Sequence, residues 1–332
     1  MRVDARLSDE AKGQAGMAPL AVLDLGTNNC RLLIASFDRR GNLRVQDSFS
    51  RIVRLGEGVE ASGLISQAAM DRTIATLKIC ADRITRARAG QVRCIATQAA
   101  RQARNADVLV ARVRAETGLA LEVISADQEA DLVALGCTPL LGDAYKGALV
   151  FDIGGGSTEI IRLARTAPGA DGEVEKRFAA SVPLGVVTLS ERAPLNSRAD
   201  YERLIDEVSA RFAVLKTSMP DFDPAGEHLL GTSGTVTTLA AIALNLPRYI
   251  RARVDASWHQ TQVLLGVSDR LAGLDHAALT RIGSIGADRA DLMLPGCALF
   301  AAICRVWPSP MLRVADRGLR EGMLRQLWQE RA

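Results

Sequence analysis

The chain has 332 residues, of which 48% are hydrophobic and 24% charged, with six cysteines and a formal net charge of +3. This length exceeds that at which a single hydrophobic core stops growing, so it predicts two domains. The small net charge, with no tail of Lys or Arg, argues against a nucleic-acid partner. The cysteines are scattered in apolar runs without metal-binding spacing, which predicts buried free thiols in a reducing compartment.

The first residues of the chain are predicted to be a disordered extension. Residues 1–18 read MRVDARLSDEAKGQAGMA and contain no apolar run of the kind that a signal peptide needs. No later stretch reaches the roughly 18 uninterrupted apolar residues of a membrane span. We therefore expect a cytoplasmic protein with no membrane partner.

Two segments of the chain follow the same pattern. Residues 21–35 read AVLDLGTNNCRLLIA and residues 149–163 read LVFDIGGGSTEIIRL, so that Asp24 aligns with Asp152. Each consists of an apolar strand, an aspartate, a turn of small residues and a second apolar strand. This pattern predicts a β-hairpin whose tip offers backbone N–H groups to an anion. One such hairpin in each half indicates a duplicated fold that holds phosphate between its copies.

The turn of the second hairpin is richer in glycine than a hairpin needs. A single glycine-rich turn is more simply explained as an ordinary hairpin, but Gly154, Gly155 and Gly156 are consecutive, which lets a backbone approach an anion closely. A carboxylate beside bound phosphate is repelled by it unless a cation intervenes. We therefore predict that Asp152, and by the same argument Asp24, are ligands of Mg²⁺.

The remaining elements alternate between strands and helices, as expected of an α/β fold. The first half contains predicted strands near 43–53, 91–97 and 121–124 and predicted helices over 67–88, 107–117 and 126–135. Residues 138–146 lose this periodicity and contain Pro and Gly, so the crossing into the second domain is predicted there. The second half contains predicted strands near 176–182 and 228–231 and predicted helices over 199–218, from the turn at 231–235, over 256–266 and over 287–306. Domain I is therefore predicted to be 19–138 together with an amphipathic C-terminal helix within 316–332, and domain II to be 139–315.

Several motifs of the chain occur in the order seen in one known family. They are DLGTNNCRLLIA (24–35), RLGEG (54–58), ATQAARQARN (96–105), VISADQEADL (123–132), FDIGGGSTEI (151–160), SVPLG (181–185), GTSGT (231–235), RADLMLPG (289–296) and DRGLREG (316–322). From about residue 21 to its C-terminus the chain resembles the Ppx/GppA family of exopolyphosphatases and guanosine pentaphosphate phosphohydrolases. The resemblance implies an α/β fold of two ribonuclease-H-like domains flanking a cleft, similar to the actin, Hsp70 and sugar kinase superfamily. It also implies a short form without the C-terminal HD-type domain of long members.

The resemblance assigns roles to individual residues. Glu129 matches the family's general base, although its position at the start of a predicted helix is by itself explained more simply by the helix dipole. Arg31 and Arg101 match arginines that face the phosphates, with Arg101 counted as catalytic. Glu159, which matches an acidic residue that positions water and holds metal, is predicted to be a catalytic residue and a Mg²⁺ ligand together with Asp152. The predicted phosphate loops are Thr27, Asn28 and Asn29, and Gly154, Gly155, Gly156, Ser157 and Thr158.

The chain also departs from the family pattern at three points. The family usually has Ser-Asn-Ser where Thr27-Asn28-Asn29 stands, and Ser where Gln98 stands. Gln128 replaces an acidic residue, which removes a negative charge beside the predicted base. We expect this last change to alter the pH optimum or the metal preference without abolishing activity.

The resemblance implies an exopolyphosphatase that releases orthophosphate from polyphosphate by Mg²⁺-dependent in-line attack of water, with Mn²⁺ as the alternative ion. Hydrolysis of the 5′-terminal phosphate of guanosine pentaphosphate is the nearest alternative. Two further alternatives are an ATP-dependent kinase of the same superfamily and a sensor that binds polyphosphate or a guanosine alarmone without turnover. The apolar C-terminal half predicts a homodimer.

Overall fold

The computed structural model describes residues 18–38, 41–167, 172–192, 195–219 and 221–331. The predicted disordered extension therefore lies, but for Ala18, outside the described residues. The strands are β1 Leu20–Leu25, β2 Asn29–Phe37, β3 Leu43–Ile52, β4 Gln91–Ala96, β5 Leu121–Val123, β6 Gly147–Ile153, β7 Thr158–Arg165, β8 Val174–Val182, β9 Glu227–Thr232, β10 Trp258–Gln260 and β11 Met311–Ala315. The helices are α1 Val59–Ser62, α2 Gln67–Arg86, α3 Gln98–Gln102, α4 Ala106–Thr117, α5 Ala126–Cys137, α6 Val186–Arg192, α7 Arg198–Ser218, α8 Gly234–Ala243, α9 Arg251–Val254, α10 Thr261–Ala272, α11 His276–Thr280, α12 Ala287–Val306 and α13 Leu319–Gln329.

The strands form two sheets of matching topology. The first has the order β3-β2-β1-β4-β5 and the second the order β10-β11-β9-β6-β7-β8. In each sheet three antiparallel strands come first in the chain and are followed by parallel strands added beside the first of them. The second sheet has one further antiparallel strand, β10, at its edge. The chain thus has the predicted α/β fold, with two ribonuclease-H-like units.

An irregularity in strand pairing is repeated together with the hairpins. The register of β2 against β3 shifts between Ile34 and Ala35, and that of β7 against β8 shifts between Arg162 and Leu163. The offset between these two shifts equals that between Asp24 and Asp152. Bulges bend a strand and re-aim its side chains, so the two copies share this bend as well as their sequence pattern.

Most predicted elements agree with the structure to within a few residues. The helix predicted over 287–306 is α12, and much of it is buried in the core of the second sheet beside Phe212 and Trp307. All six cysteines are buried and free, as predicted. Among the described residues, no helix combines the length and the apolar character needed to cross a membrane.

The helix predicted over 256–266 is wrong in its first part. Ala256 has a φ of 66°, and its N–H donates to the Val314 carbonyl, so the chain cannot be helical there. Residues 258–260 instead form β10, which pairs with β11. The helix begins only at Thr261. Neither of these short strands was predicted, because three to five residues are too few to show a period.

The C-terminal helix α13 packs against α5 and β1. Met323 and Leu324 share a buried cluster with Leu20 and Val22 of β1. A Cβ at Gly322 would lie 1.8 Å from the Leu132 carbonyl oxygen of α5, so glycine is needed for so close a crossing of the two helices. The limits of the two domains stay a prediction.

A buried ion pair contributes to the stability of the second sheet. Arg162 donates to both carboxylate oxygens of Glu227, at 3.0 Å and 2.5 Å, and Glu227 is almost fully buried. We expect Glu227→Gln to lower the free energy of unfolding by about 3 kcal/mol, because it leaves the Arg162 guanidinium, whose side chain is only 14% exposed, without its charge partner. Glu202→Gln, which breaks the exposed pair with Arg198, should cost less than about 1 kcal/mol. Urea denaturation measures both values, and equal losses would contradict the prediction.

His228 is expected to make stability depend on pH. Its Nδ1 donates to the Leu229 carbonyl at 2.8 Å, and its Nε2 accepts from the Gly142 N–H at 3.2 Å, so the neutral ring is fully paired. Burial lowers the pKa of His228 to about 4. The unfolded chain, with an ordinary histidine pKa, takes up the proton first, so stability is lost as the pH falls from 6.5 to 4.

Taken by itself, proton uptake by His228 lowers the free energy of unfolding by about 3 kcal/mol across this pH interval. We expect the loss of unfolding free energy between pH 6.5 and pH 4 to be smaller by that amount in His228→Gln. Denaturation at a series of pH values measures the loss. Equal losses for the wild type and the variant would contradict the assignment.

Candidate active site

The turns of the two repeated hairpins touch each other. A Cβ at Gly155 would lie 2.9 Å from the Cβ of Thr27, and a Cβ at Gly156 would lie 2.6 Å from Thr27 Oγ1. The glycines of the second turn therefore leave room for the first turn, a constraint that the sequence pattern did not reveal. This contact joins the two predicted phosphate loops at one place between the sheets.

The two turns are closed by equivalent hydrogen bonds. The Gly26 N–H donates to the Asn29 carbonyl and the Gly154 N–H to the Ser157 carbonyl, both at 2.9 Å. The N–H groups of Gly155 and Gly156 donate to no acceptor within the described part of the chain. Adjacent unpaired N–H groups at a turn are what an anion-binding loop requires.

Four carboxylates come together beside these turns. The register of the hairpins sets Asp24 opposite Arg31 and Asp152 opposite Glu159, while Glu129 lies in the first turn of α5. Glu129 and Glu159 are buried. The four acidic side chains of this group, Asp24, Glu129, Asp152 and Glu159, are referred to below as the carboxylate group.

Burial is the main cause of the raised pKa values in the carboxylate group. It raises the pKa of Asp152 to about 7, helped by Glu159 and Asp24 and opposed by Arg31. It raises the pKa of Glu129 well above its usual range, helped by Glu159 and opposed by Arg101. The pKa of Asp24 is also raised by burial, against the effect of Arg31. In this buried setting the ionised carboxylates are disfavoured unless a cation or a proton compensates them.

Arg101 connects α3 to the start of α5. Its Nη1 donates to Glu129 Oε2 at 2.7 Å and to the Ile124 carbonyl at 3.1 Å, and its Nη2 donates to Gln98 Oε1 at 2.9 Å. The guanidinium thus holds the Glu129 carboxylate in one orientation. Arg31, which lies opposite Asp24 on β2, lowers the pKa of both Asp24 and Asp152.

Comparison with known proteins decides which family this site belongs to. A family model described as the Ppx/GppA phosphatase family matches residues 35–330. The chain belongs to the Ppx/GppA phosphatase family. It is accordingly a hydrolase of that family, as predicted.

Relatives and solved structures agree with this assignment. Exopolyphosphatase 2 of Mycobacterium tuberculosis is 34% identical over 298 residues, which cover 86% of this chain and 90% of the relative. Exopolyphosphatase 1 of the same organism is 30% identical over 315 residues, which cover 92% and 87%. The crystal structure of the Aquifex aeolicus Ppx/GppA family member has a TM-score of 0.77 at 26% identity, covering 94% of this chain and 98% of that one. The two-domain, actin-like fold of Ppx/GppA proteins is thus confirmed for this chain.

The departures from the Ppx/GppA pattern have different surroundings. Gln128 is exposed, and its Oε1 accepts from the Ser125 N–H in a capping box at the start of α5. It is therefore engaged in helix capping outside the carboxylate group. Gln98 is within the site, because it accepts from Arg101 and its Cγ would lie 2.9 Å from a Cβ at Gly156.

Two residues of the site were not given a role by the sequence. The Ser181 hydroxyl donates to Glu159, and the Arg320 guanidinium lowers the pKa of Asp24. Both belong to motifs of the Ppx/GppA family, which was the available signal, but their contacts could not be deduced from spacing.

The predicted loop residue Thr158 is fully buried, and its hydroxyl donates to the Leu184 carbonyl at 2.6 Å. Thr158 can therefore bind phosphate through its backbone but not through its hydroxyl.

The arrangement of possible ligands bears on the predicted Mg²⁺ site. Among the described residues, no three His, Cys, Asp or Glu side chains are grouped so as to hold a metal ion by themselves. Mg²⁺ does not need such a cage, since it usually keeps several waters and takes one or two carboxylates together with substrate phosphates. The carboxylate group fits this mode of binding, because it supplies carboxylate oxygens, and a cation would offset the mutual repulsion that, after burial, raises the pKa of Glu129 and Asp152.

Proposed function

We propose that the chain is an exopolyphosphatase that hydrolyses the terminal phosphoanhydride of inorganic polyphosphate and releases orthophosphate. The observation that carries the proposal is the position of Glu129, a buried carboxylate held by Arg101 at 2.7 Å within the carboxylate group. Relatives that cover most of the chain are named exopolyphosphatases, which supports the substrate.

The proposed reaction is an in-line displacement at the terminal phosphorus. Phosphoryl transfer requires positioning and neutralisation of charge more than covalent chemistry. The unpaired N–H groups of Gly155 and Gly156 bind non-bridging oxygens of the terminal phosphate, and Arg31 binds the phosphate from the opposite hairpin. These contacts hold the phosphorus in line with the attacking water.

Glu129 is the proposed general base. Its carboxylate accepts a proton from the water as the water oxygen bonds to phosphorus, and the bridging oxygen leaves on the shortened chain. Desolvation raises the pKa of Glu129, which makes it a stronger base, and Arg101 opposes this rise. Glu159 accepts from the hydroxyls of Ser157 and Ser181 and is proposed to orient the water.

Asp152, Glu159 and Asp24 are the residues that would hold Mg²⁺, with Mn²⁺ as the alternative. When bound, the ion neutralises charge on the phosphate oxygens. Its binding also offsets the mutual repulsion of the carboxylate group, so removal of divalent ions by a chelator should stop phosphate release. The predicted homodimer and cytoplasmic location stay predictions.

A direct comparison of substrates tests the proposal. Phosphate release from long-chain polyphosphate and from guanosine pentaphosphate is measured at equal concentrations with Mg²⁺. We expect a higher kcat/KM for polyphosphate, and the reverse order would replace this proposal by the nucleotide activity. Tight binding of either compound without turnover, under several metal ions, would indicate a sensor instead.

A further inference from the structure

The motif SVPLG supports the second phosphate loop and has only a minor place in the mechanism above. The Ser181 hydroxyl donates to Glu159 Oε1 at 2.8 Å, and the Leu184 carbonyl accepts from the Thr158 hydroxyl at 2.6 Å. A Cβ at Gly185 would lie 2.2 Å from the Gly155 carbonyl oxygen. The segment Ser181–Gly185 thus contacts the loop at Gly155 and Thr158 and the following strand at Glu159.

Ser181 is placed beside Glu159 by the sheet itself. Glu159 on β7 and Ser181 on β8 are directly opposite in the antiparallel register. Opposite residues of an antiparallel pair project on the same face with their Cβ atoms about 5 Å apart. The hydroxyl is therefore attached to the backbone of a neighbouring strand and does not depend on a mobile loop.

Both hydroxyls that reach Glu159 donate to the same oxygen. Ser157 Oγ lies 2.7 Å from Glu159 Oε1, and Ser181 Oγ lies 2.8 Å from it. Glu159 Oε2 accepts from no side chain of the residues that the structure describes. Two donors on one oxygen select a single orientation of a side chain that has three rotatable bonds.

We propose that Ser181 is a positioning residue for the hydrolysis: with Ser157 it holds Glu159 through Oε1, so that Oε2 is the oxygen that acts in the cleft. This inference rests on the proposed role of Glu159. Ser157 cannot do this alone, because a carboxylate held by one donor is free to rotate about that hydrogen bond. The substrate phosphates are bound by other groups, so the effect belongs to turnover and not to substrate binding.

Three variants test the proposal by steady-state kinetics with Mg²⁺. Ser181→Ala should lower kcat about tenfold, the effect of one hydrogen bond to a charged group, with KM within about twofold of wild type. Ser181→Thr keeps the hydroxyl and suits a strand, so it should restore kcat to within about threefold. Ser190→Ala is the matched control, since the Ser190 hydroxyl donates to the Val187 carbonyl of its own helix, and it should behave as wild type.

Two kinetic results would overturn the proposal. One is a Ser181→Ala variant with the kcat of wild type. The other is an equal loss in Ser181→Ala and Ser181→Thr accompanied by a lower Tm, which is the signature of a merely structural residue. The kcat of each variant is compared with that of the wild type on whichever phosphoanhydride the wild type hydrolyses. If the proposed substrate is wrong, the wild type alone reveals it, and the comparison between variants is unaffected.

A crystal structure of Ser181→Ala gives a readout that does not depend on activity. We expect the Glu159 carboxylate to leave the orientation that it has beside Ser157 and Ser181, or to occupy several orientations. A Glu159 side chain unchanged in the variant would show that Ser157 suffices, and would overturn the assignment of Ser181.

Discussion

Glu129→Gln should lower kcat for phosphate release by about three orders of magnitude, within the range of roughly 10² to 10⁴ typical of a general base. The amide oxygen can still accept the Arg101 hydrogen bond that Glu129 Oε2 accepts at 2.7 Å, so the geometry of the site is kept while the base is lost. Phosphate release from long-chain polyphosphate is the measurement. A variant as fast as wild type would remove Glu129 from the mechanism.

The stability of the same variant separates loss of chemistry from loss of structure. Burial and the neighbouring Glu159 raise the pKa of Glu129, so its ionised form is unfavourable in the folded protein. A neutral amide relieves this, and Arg101 keeps a carboxylate partner because it also lowers the pKa of Glu159. We therefore expect Glu129→Gln to unfold at the same or a higher urea concentration than wild type. Glu122→Gln is the matched control, because this exposed glutamate pairs with Arg93 outside the site and should leave kcat unchanged.

Gly156→Ala should lower kcat/KM by about two orders of magnitude. The added Cβ would lie 2.6 Å from Thr27 Oγ1 and 2.9 Å from Gln98 Cγ, so the two turns must separate. A displacement of about 1 Å in groups that hold a reacting phosphate costs about a hundredfold in rate. The measurement is phosphate release over a range of polyphosphate concentrations.

Gly266→Ala provides the control for the effect of an added methyl group. Gly266 lies within α10, and a Cβ there would meet nothing within 4 Å, so activity should be unchanged and stability the same or higher. Wild-type kinetics for Gly156→Ala would mean that the turns do not meet in solution as they do in this structure.

The fold could be predicted largely from the sequence because its hairpins and long helices have clear periods. The alignment of Asp24 with Asp152 anticipated the two sheets, and the apolar run of α12 gave its bounds. The short strands β10 and β11 were missed because their place is set by pairing with each other at the sheet edge. Tertiary pairing of this kind leaves no local period in the chain.

The site was predictable in its residue types but not in its contacts. At the sequence level Glu129 could be explained as a helix-dipole residue, and it does lie in the first turn of α5, yet it is buried and paired with Arg101. The approach of Thr27 to Gly156 and the bond from Ser181 to Glu159 join distant parts of the chain. The first contact depends on how the two sheets meet and the second on the pairing of β7 with β8, and residue spacing encodes neither.

The most direct measurement follows the oxygen of the attacking water. Polyphosphate is hydrolysed in a single turnover in water enriched in the heavy oxygen isotope, and the products are separated and analysed by mass spectrometry. Attack at the terminal phosphorus predicts one heavy oxygen in each released orthophosphate and none in the shortened chain. Orthophosphate without label, with the heavy oxygen in the remaining chain, would contradict the account.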